Sequence, residues 1–276
     1  MSPAISTVIL TAAVVVMILV VMSYATNYLN AGMAENEFSS NKQFMSTTGL
    51  QIDDIAWTVG RTQTVSYSSK FGTVEVQELA LNYTFQVHTS SGWENLTAPV
   101  ETGIIVYNMP VSSYSMGNNS FERVPMSADS SFLLSGSSAP VSQVFCEEKL
   151  PMNDGSYTRI VVVPTLRVLN SSITGTQQNP TSYFKFYLPV LENGTNPYNS
   201  QSLTLTGDGI TKMTWSEVDK VIISVSFPQT ASGFNSSFFN FNSTTITLNS
   251  TSNPQIPPNS VVELYMGKVL VTIGQV

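Results

Sequence analysis

The sequence has little cysteine, histidine or charge. Cys146 is the only cysteine and His88 the only histidine among the 276 residues. No intrachain disulfide can therefore form. A histidine-based serine triad would have to use His88, although no Gly-x-Ser-x-Gly motif is present. Charged residues make up 11% of the chain, whereas an ordinary soluble protein has roughly a quarter. An enzyme is therefore the least expected class of function.

Hydrophobic and small polar residues fill most of the chain instead. The hydrophobic share is 42% and falls in alternating runs, so disorder does not explain the low charge. Ser, Thr, Asn and Gln provide the polar surface, which suits a protein outside the cell. The net charge of −7 argues against a nucleic-acid partner, because nucleic-acid binding needs a basic stripe.

The remaining reactive residues form no recognisable site. Cys146 lacks zinc-type spacing and is expected to be a small buried side chain. His88 is predicted on the polar face of a strand, facing solvent. Asp53-Asp54 and Glu147-Glu148 are adjacent carboxylates whose side chains point apart in a helix or strand, so each pair is expected at the surface. We predict no catalytic, metal or cofactor site.

A long uncharged apolar segment stands near the N-terminus. Ala4–Met22 reads AISTVILTAAVVVMILVVM. In a helix, roughly twenty residues cover about 30 Å, the thickness of a bilayer core. A helix that is apolar on every side must be buried on every side, in lipid or among other helices. Ser2 as N-cap and Pro3 at the first helical position predict a helix that begins near residue 3.

The helix is predicted to continue well past this segment. Apolar residues recur at three- and four-residue steps and form one stripe: Ala31, Ala34, Phe38, Met45, Ile52 and Ile55. Glu35, Glu37, Asn41, Lys42 and Gln43 are predicted to lie off it. Gly60 is a natural terminator. We predict one helix of about 55 residues, about 80 Å long if unbroken, within residues 1–58.

Strand and turn signals dominate from Arg61 onward. About twelve short strands are predicted. They include Thr158–Leu169 as one strand, Ser202–Thr206, Lys212–Trp215 and Val218–Phe227 as three, and Val261–Met266 and Val269–Ile273 as two. The fold class is therefore α+β, with a long N-terminal hydrophobic helix followed by an all-β, sandwich-like body over residues 59–276. Loops at 135–140 and 170–181 could divide this body, but one elaborated sandwich is preferred.

Two further features concern the surface of the body. Gly233–Asn242, GFNSSFFNFN, is dense in phenylalanine; it is interpreted as a plug for one end of the sandwich, with a subunit contact as the alternative. Eight Asn-x-Ser/Thr sequons are candidates for N-linked glycans, a number modestly above chance. They are Asn82, Asn95, Asn118, Asn170, Asn193, Asn235, Asn242 and Asn249.

The apolar segment resembles the N-terminal helix of the archaeal type IV pilin and archaellin superfamily, above all at Ala4-Ile5-Ser6-Thr7-Val8-Ile9. Precursors in that superfamily carry a short basic leader, which a prepilin peptidase removes just ahead of the helix. The first basic residue here is Lys42, so we expect this chain to be the processed form. Bacterial pilins carry a glutamate five residues into the mature helix, where this chain has Ile5; archaeal members generally lack that acid.

The resemblance implies a homo-oligomeric helical filament outside the cell, with adhesion expected more than motility. The subunit would wait in the membrane until a membrane platform and a cytoplasmic ATPase extract it. The helix residues implied to form the filament core are Ala4, Ile5, Val8, Ile9, Ala12, Val15, Val16, Leu19 and Val20. The alternatives are a single-helix anchor for a cell-surface or solute-binding protein, and a minor pseudopilin. No cofactor is expected besides N-linked glycans.

Overall fold

The computed structural model describes residues 3–95, 98–124, 130–150, 155–173, 181–195 and 201–274. It contains one long N-terminal helix followed by a large β-sheet body. The predicted α+β class, with a hydrophobic helix ahead of a sheet-rich domain, is confirmed.

The N-terminal helix, α1, spans Pro3–Ala56 without a break. Its end is a turn in which the Thr58 amide donates to the Ile55 carbonyl at 3.0 Å. Gly60 follows with a φ of +80°, a left-handed conformation that glycine adopts without strain. The predicted length and the predicted terminator are both confirmed.

Among the described residues, the body contains thirteen strands and one short α-helix. The strands are β1 Thr62–Ser66, β2 Thr73–Thr89, β3 Gly92–Asn95, β4 Val100–Pro110, β5 Ser120–Val124, β6 Leu133–Ser135, β7 Ser142–Glu148, β8 Tyr157–Pro164, β9 Leu166–Ile173, β10 Thr181–Asn193, β11 Ser202–Ser226, β12 Thr245–Leu248 and β13 Ser260–Gly274. The short helix α2 spans Ser236–Phe239, and Thr230–Ser232 forms a 3₁₀ turn.

All thirteen strands belong to one hydrogen-bonded sheet, in the order β5-β7-β8-β4-β2-β11-β13-β10-β9-β6, with β1, β3 and β12 as side branches. The sheet folds back on itself. Phe85 of β2 and Phe186 of β10 are separated in the sheet by two strands, yet their ring centroids lie 6.2 Å apart. One hydrophobic core therefore fills the space between the two folded halves, as in a sandwich.

The sheet also covers the two regions proposed as domain boundaries. In the first region, 135–140, Ser135 ends β6, and the following residues lead to β7 of the same sheet. Residues 170–173 are part of β9, and residues 174–180 lie outside the described part of the chain.

The strand boundaries differ from the predicted ones in four places. The two segments predicted at Val261–Met266 and Val269–Ile273 form the single strand β13. β3 and β5 were not predicted. Thr165 separates β8 from β9, where one strand was predicted. The three predicted segments between residues 202 and 227 form the single strand β11. Register shifts at Gly207/Gly209 and at Trp215/Val218 interrupt its pairing with β13, so its alternation breaks where the strand itself does not.

Candidate functional site: the apolar helix and its seat on the body

The first half of α1 is uncovered. Side chains from Ser6 to Leu29 are exposed around the whole helix, and its large hydrophobic residues are 42–75% exposed. By length and composition, α1 can cross a membrane: its most apolar window has a mean hydropathy of 2.7, and none of that window is buried. An apolar surface of this extent is not stable in water and requires lipid or protein around it.

The predicted core-helix residues all belong to this half. The exposed ones are Val8, Ile9, Ala12, Val15, Val16, Leu19 and Val20. Ala4 and Ile5 are helical, but their side chains lie outside the described part of the structure.

The second half of α1 is docked on the body. The buried stripe begins at Ala34 and continues through Phe38, Phe44, Met45, Ile52, Ile55 and Ala56. Ala31 is exposed. The prediction that the buried stripe begins there is wrong, because the stripe begins one helical turn later. Asn41 was predicted to lie off the stripe but is 1% exposed. Its Nδ2 is satisfied by the carbonyls of Glu37 at 3.0 Å and Ser68 at 3.1 Å.

A single carboxylate, that of Glu37, joins the helix to the turn between β1 and β2. It accepts the backbone amides of Lys70 at 2.9 Å, Phe71 at 3.0 Å and Gly72 at 3.2 Å. The Tyr107 hydroxyl also donates to it, at 2.8 Å. Burial, together with the hydrogen bond and charge of Glu37, raises the pKa of Tyr107, so this hydroxyl remains a donor.

A second carboxylate anchors the end of α1. Asp53 accepts the Trp57 indole N–H at 2.8 Å and the Arg167 guanidinium at 2.8 Å. Arg167 lies over the ring of Tyr187, which Trp57 contacts edge-on at 5.1 Å. Asp53 is therefore engaged with the body, and the predicted surface position holds only for its neighbour Asp54, which is exposed.

Two glycines make room for the last turn of α1. A β-carbon on Gly267 of β13 would overlap the carbonyl of Ala56. On Gly207 of β11 it would lie 2.7 Å from the carbonyl oxygen of Ile55. Two backbone hydrogen bonds join Gly207 to the chain after the helix, one from the Gly60 amide and one to the Arg61 carbonyl. The backbone at the end of the helix therefore lies directly against the backbones of β11 and β13.

The Glu147-Glu148 pair was predicted at the surface, and this prediction is wrong. Glu147 is 2% and Glu148 1% exposed. The two side chains do point to opposite faces of β7, but both faces are covered. Hydrogen bonds from Thr158, Ser115 and Met116 outweigh the effect of burial and lower the pKa of Glu148.

Glu147 lies on the other face of β7, beside Lys149, whose ammonium is 3.0 Å from its carboxylate. Burial raises the pKa of Glu147 to about 7 despite this ion pair. Lys149 also donates to the carbonyl of Ser237 in α2.

The phenylalanine-rich segment around α2 closes this end of the core, with Phe234, Phe238 and Phe239 buried, in agreement with the predicted plug.

The other reactive residues lie apart from one another. A ring nitrogen of His88 is 2.7 Å from the Asp219 carboxylate, and its ring meets Trp93 edge-on. Cys146 is buried, and burial raises the pKa of its thiol to about 12. Within the described ranges, no group of three or more His, Cys, Asp or Glu side chains could hold a metal ion.

The candidate glycan acceptors differ in accessibility. Six are exposed: Asn95, Asn118, Asn170, Asn193, Asn235 and Asn242. Asn249 is half-buried, and both the amide and the hydroxyl of Thr251 donate to its Oδ1 at 2.9 Å. Asn82 is half-buried in β2, where its Oδ1 is buried with no hydrogen-bond partner among the described residues.

The contacts that hold the helix on the body were not predicted from the sequence. Glu37 and Asp53 are separated from their body partners by 33 to 114 positions, so no local pattern signals them. The only relevant sequence signal is that charged residues are scarce, which makes each carboxylate in the helix a candidate for a specific contact. Comparisons of the chain with models of protein families, with curated proteins and with solved structures found no match.

Proposed function

We propose that this chain is a structural subunit of an extracellular filament of the type IV pilus kind. The observation that supports this most strongly is the division of α1 into two halves. Residues 6–29 are apolar and uncovered, whereas the half from Ala34 onward is fixed to the body by a buried stripe and two carboxylate anchors. Such a rigid rod presents an apolar end to other copies at a defined angle.

Assembly would exchange lipid for protein around the apolar half. Lipid tails and apolar side chains are similar solvents, so the hydrophobic effect does not drive this exchange, and close helix packing has to stabilise the bundle. Small residues such as Ala12 and Ala13 allow helices to approach closely. Once bundled, the same surface opposes the subunit's release into water.

The bodies would coat the filament and present its surface to the surroundings. Their low charge and exposed sequons suit a glycosylated adhesive surface outside the cell. Prepilin peptidase, a membrane platform and an assembly ATPase are the partners that the superfamily resemblance implies.

One substitution tests the role of the helix. Val15→Lys places a charge in the middle of the uncovered half, where an ammonium group costs about 3 kcal/mol in an apolar setting. Cells that express this variant should lose filaments containing the chain. Gln43→Lys is the matched control, because Gln43 is exposed on the docked half. Filaments that persist with Val15→Lys would contradict the proposal.

The same uncovered helix also fits a single-helix membrane anchor for a monomeric surface protein. In that case Val15→Lys would leave surface display intact wherever insertion succeeds, and no filament would contain the chain. A minor pseudopilin is distinguished by quantity, because it would occur at a small fraction of the subunits of a filament built from another protein.

A further inference from the structure

A groove runs along the docked half of α1. One wall is the helix itself, at Ser46, Gly49 and Leu50; the other is formed by the end of β5, by residues 134–135 and 138–140, and by the start of β7. The cavity has a volume of about 580 Å³. In this depression the surfaces of the helix and of the body meet.

The lining of this groove is mainly apolar and nearly uncharged. Leu50 is 69% exposed beside it, although it belongs to the half of α1 that is otherwise docked through its apolar residues. Arg123 is the only charged residue in the lining, and its guanidinium donates to Gln143 and to the carbonyl of Asn240. The groove therefore fits an uncharged apolar element.

We infer that the groove seats the uncovered half of α1 from a second copy of this chain. This inference rests on the proposed filament and names the body surface that receives the neighbouring helix. Residues 6–29 are the longest uncharged apolar surface in the chain and have no cover of their own. Ser46 is small and only half-buried, which lets a second helix approach the wall closely.

The dimensions of α1 permit this arrangement with parallel subunits. Val15 precedes Leu50 by 35 positions in one continuous helix, or about 50 Å at 1.5 Å per residue. A neighbour displaced by about that distance along the filament axis brings the middle of its apolar half beside Leu50. The groove is then continuous with the helix bundle, because one of its walls is α1 itself.

Water outside the membrane supplies a driving force that the helix bundle lacks. The exposed apolar surface of the groove, including Leu50, lies on the docked half of α1 and on the body, which face water in the proposed function. Covering this surface therefore gains the full hydrophobic effect. Seating a neighbour's helix in the groove therefore favours the filament over the membrane-inserted subunit. When helices exchange lipid for one another, the hydrophobic effect makes no such contribution, and only close packing favours the bundle.

Ser46→Trp tests the groove by filling it. The expected result is at least a tenfold loss of filaments, with the folded body retained as judged by thermal unfolding of the purified full chain. Thr47→Trp is the matched control, since Thr47 is exposed and does not line the groove. Normal filament yield with Ser46→Trp, or equal loss with both variants, would contradict the inference.

A photoreactive phenylalanine in place of Leu50 identifies the occupant in assembled filaments. We expect cross-links to residues 6–29 of another copy, identified by mass spectrometry. Cross-links only to another body, or only to lipid, would overturn the groove inference while leaving the filament intact. If wild-type cells contain no filaments of this chain, the proposed function itself fails.

Discussion

The hydroxyl of Tyr107 donates to the carboxylate of Glu37 at 2.8 Å, across 70 positions of sequence. This contact joins the helix to the centre of the sheet. The same carboxylate accepts three consecutive backbone amides from the turn that follows β1. One side chain thus fixes a helix, a turn and a strand relative to one another.

Replacing this carboxylate should loosen the helix from the body. Glu37→Gln removes the charge and turns an amide N–H₂ toward some of the donors, so we expect a loss of about 2 kcal/mol in the free energy of unfolding. Glu35→Gln is the control, because Glu35 is exposed on the same helix. Denaturant unfolding of the full chain in detergent measures both. Equal stabilities for the two variants would show that the Glu37 contacts do not hold the helix.

The close packing of the end of α1 on Gly267 predicts that one added methyl group destabilises the fold. Gly267→Ala places a β-carbon against the Ala56 carbonyl and should cost about 1–3 kcal/mol, because either the helix end or β13 has to move. Gly209→Ala is a matched control, since nothing lies within 4 Å of its β-carbon position. The melting temperature should fall for Gly267→Ala only. A fall of equal size for Gly209→Ala would show that the contact between Gly267 and the helix end is not the cause.

The raised pKa of Glu147 predicts that stability depends on pH between about pH 4.5 and 7. Its pKa is raised from 4.5 to about 7 in the folded protein, so the folded state binds more protons than the unfolded state in this window. Stability should therefore fall as pH rises through it, by up to about 3 kcal/mol. Glu148 acts in the opposite direction and at lower pH, because its pKa is lowered.

Glu147→Gln isolates this contribution. The variant should show a flatter stability profile between pH 5 and pH 7 and should be the more stable protein at pH 8, as measured by thermal unfolding. An unchanged slope would mean that Glu147 does not titrate with a raised pKa. Lys149 and Arg159 are the cationic groups that act on Glu147.

Accessibility predicts which sequons carry glycans. We expect occupancy at exposed acceptors such as Asn95, Asn170, Asn193 and Asn242, and none at Asn82, whose side-chain oxygen is buried in β2. Glycopeptide mass spectrometry of material from the native cells gives the occupancy of each site. A glycan on Asn82 together with bare exposed sites would contradict this assignment.

Local physical signals explain what could be predicted. Hydropathy and three- to four-residue periodicity identified α1, and Gly60 marked its end. The strands followed from alternation, except where bulges in β11 or the short edge strands β3 and β5 weakened it. Burial of Asn41, Glu147 and Glu148 could not be predicted, because it depends on surfaces that only the folded helix and sheet bring together.

The most direct test of the central claim is negative-stain microscopy of material sheared from the native cells, combined with mass spectrometry of its main protein band. The proposed function predicts thin filaments whose principal subunit is this chain. Recovery of the chain only from the detergent-soluble membrane fraction, with no filaments that contain it, would contradict the account and favour a single-helix anchor.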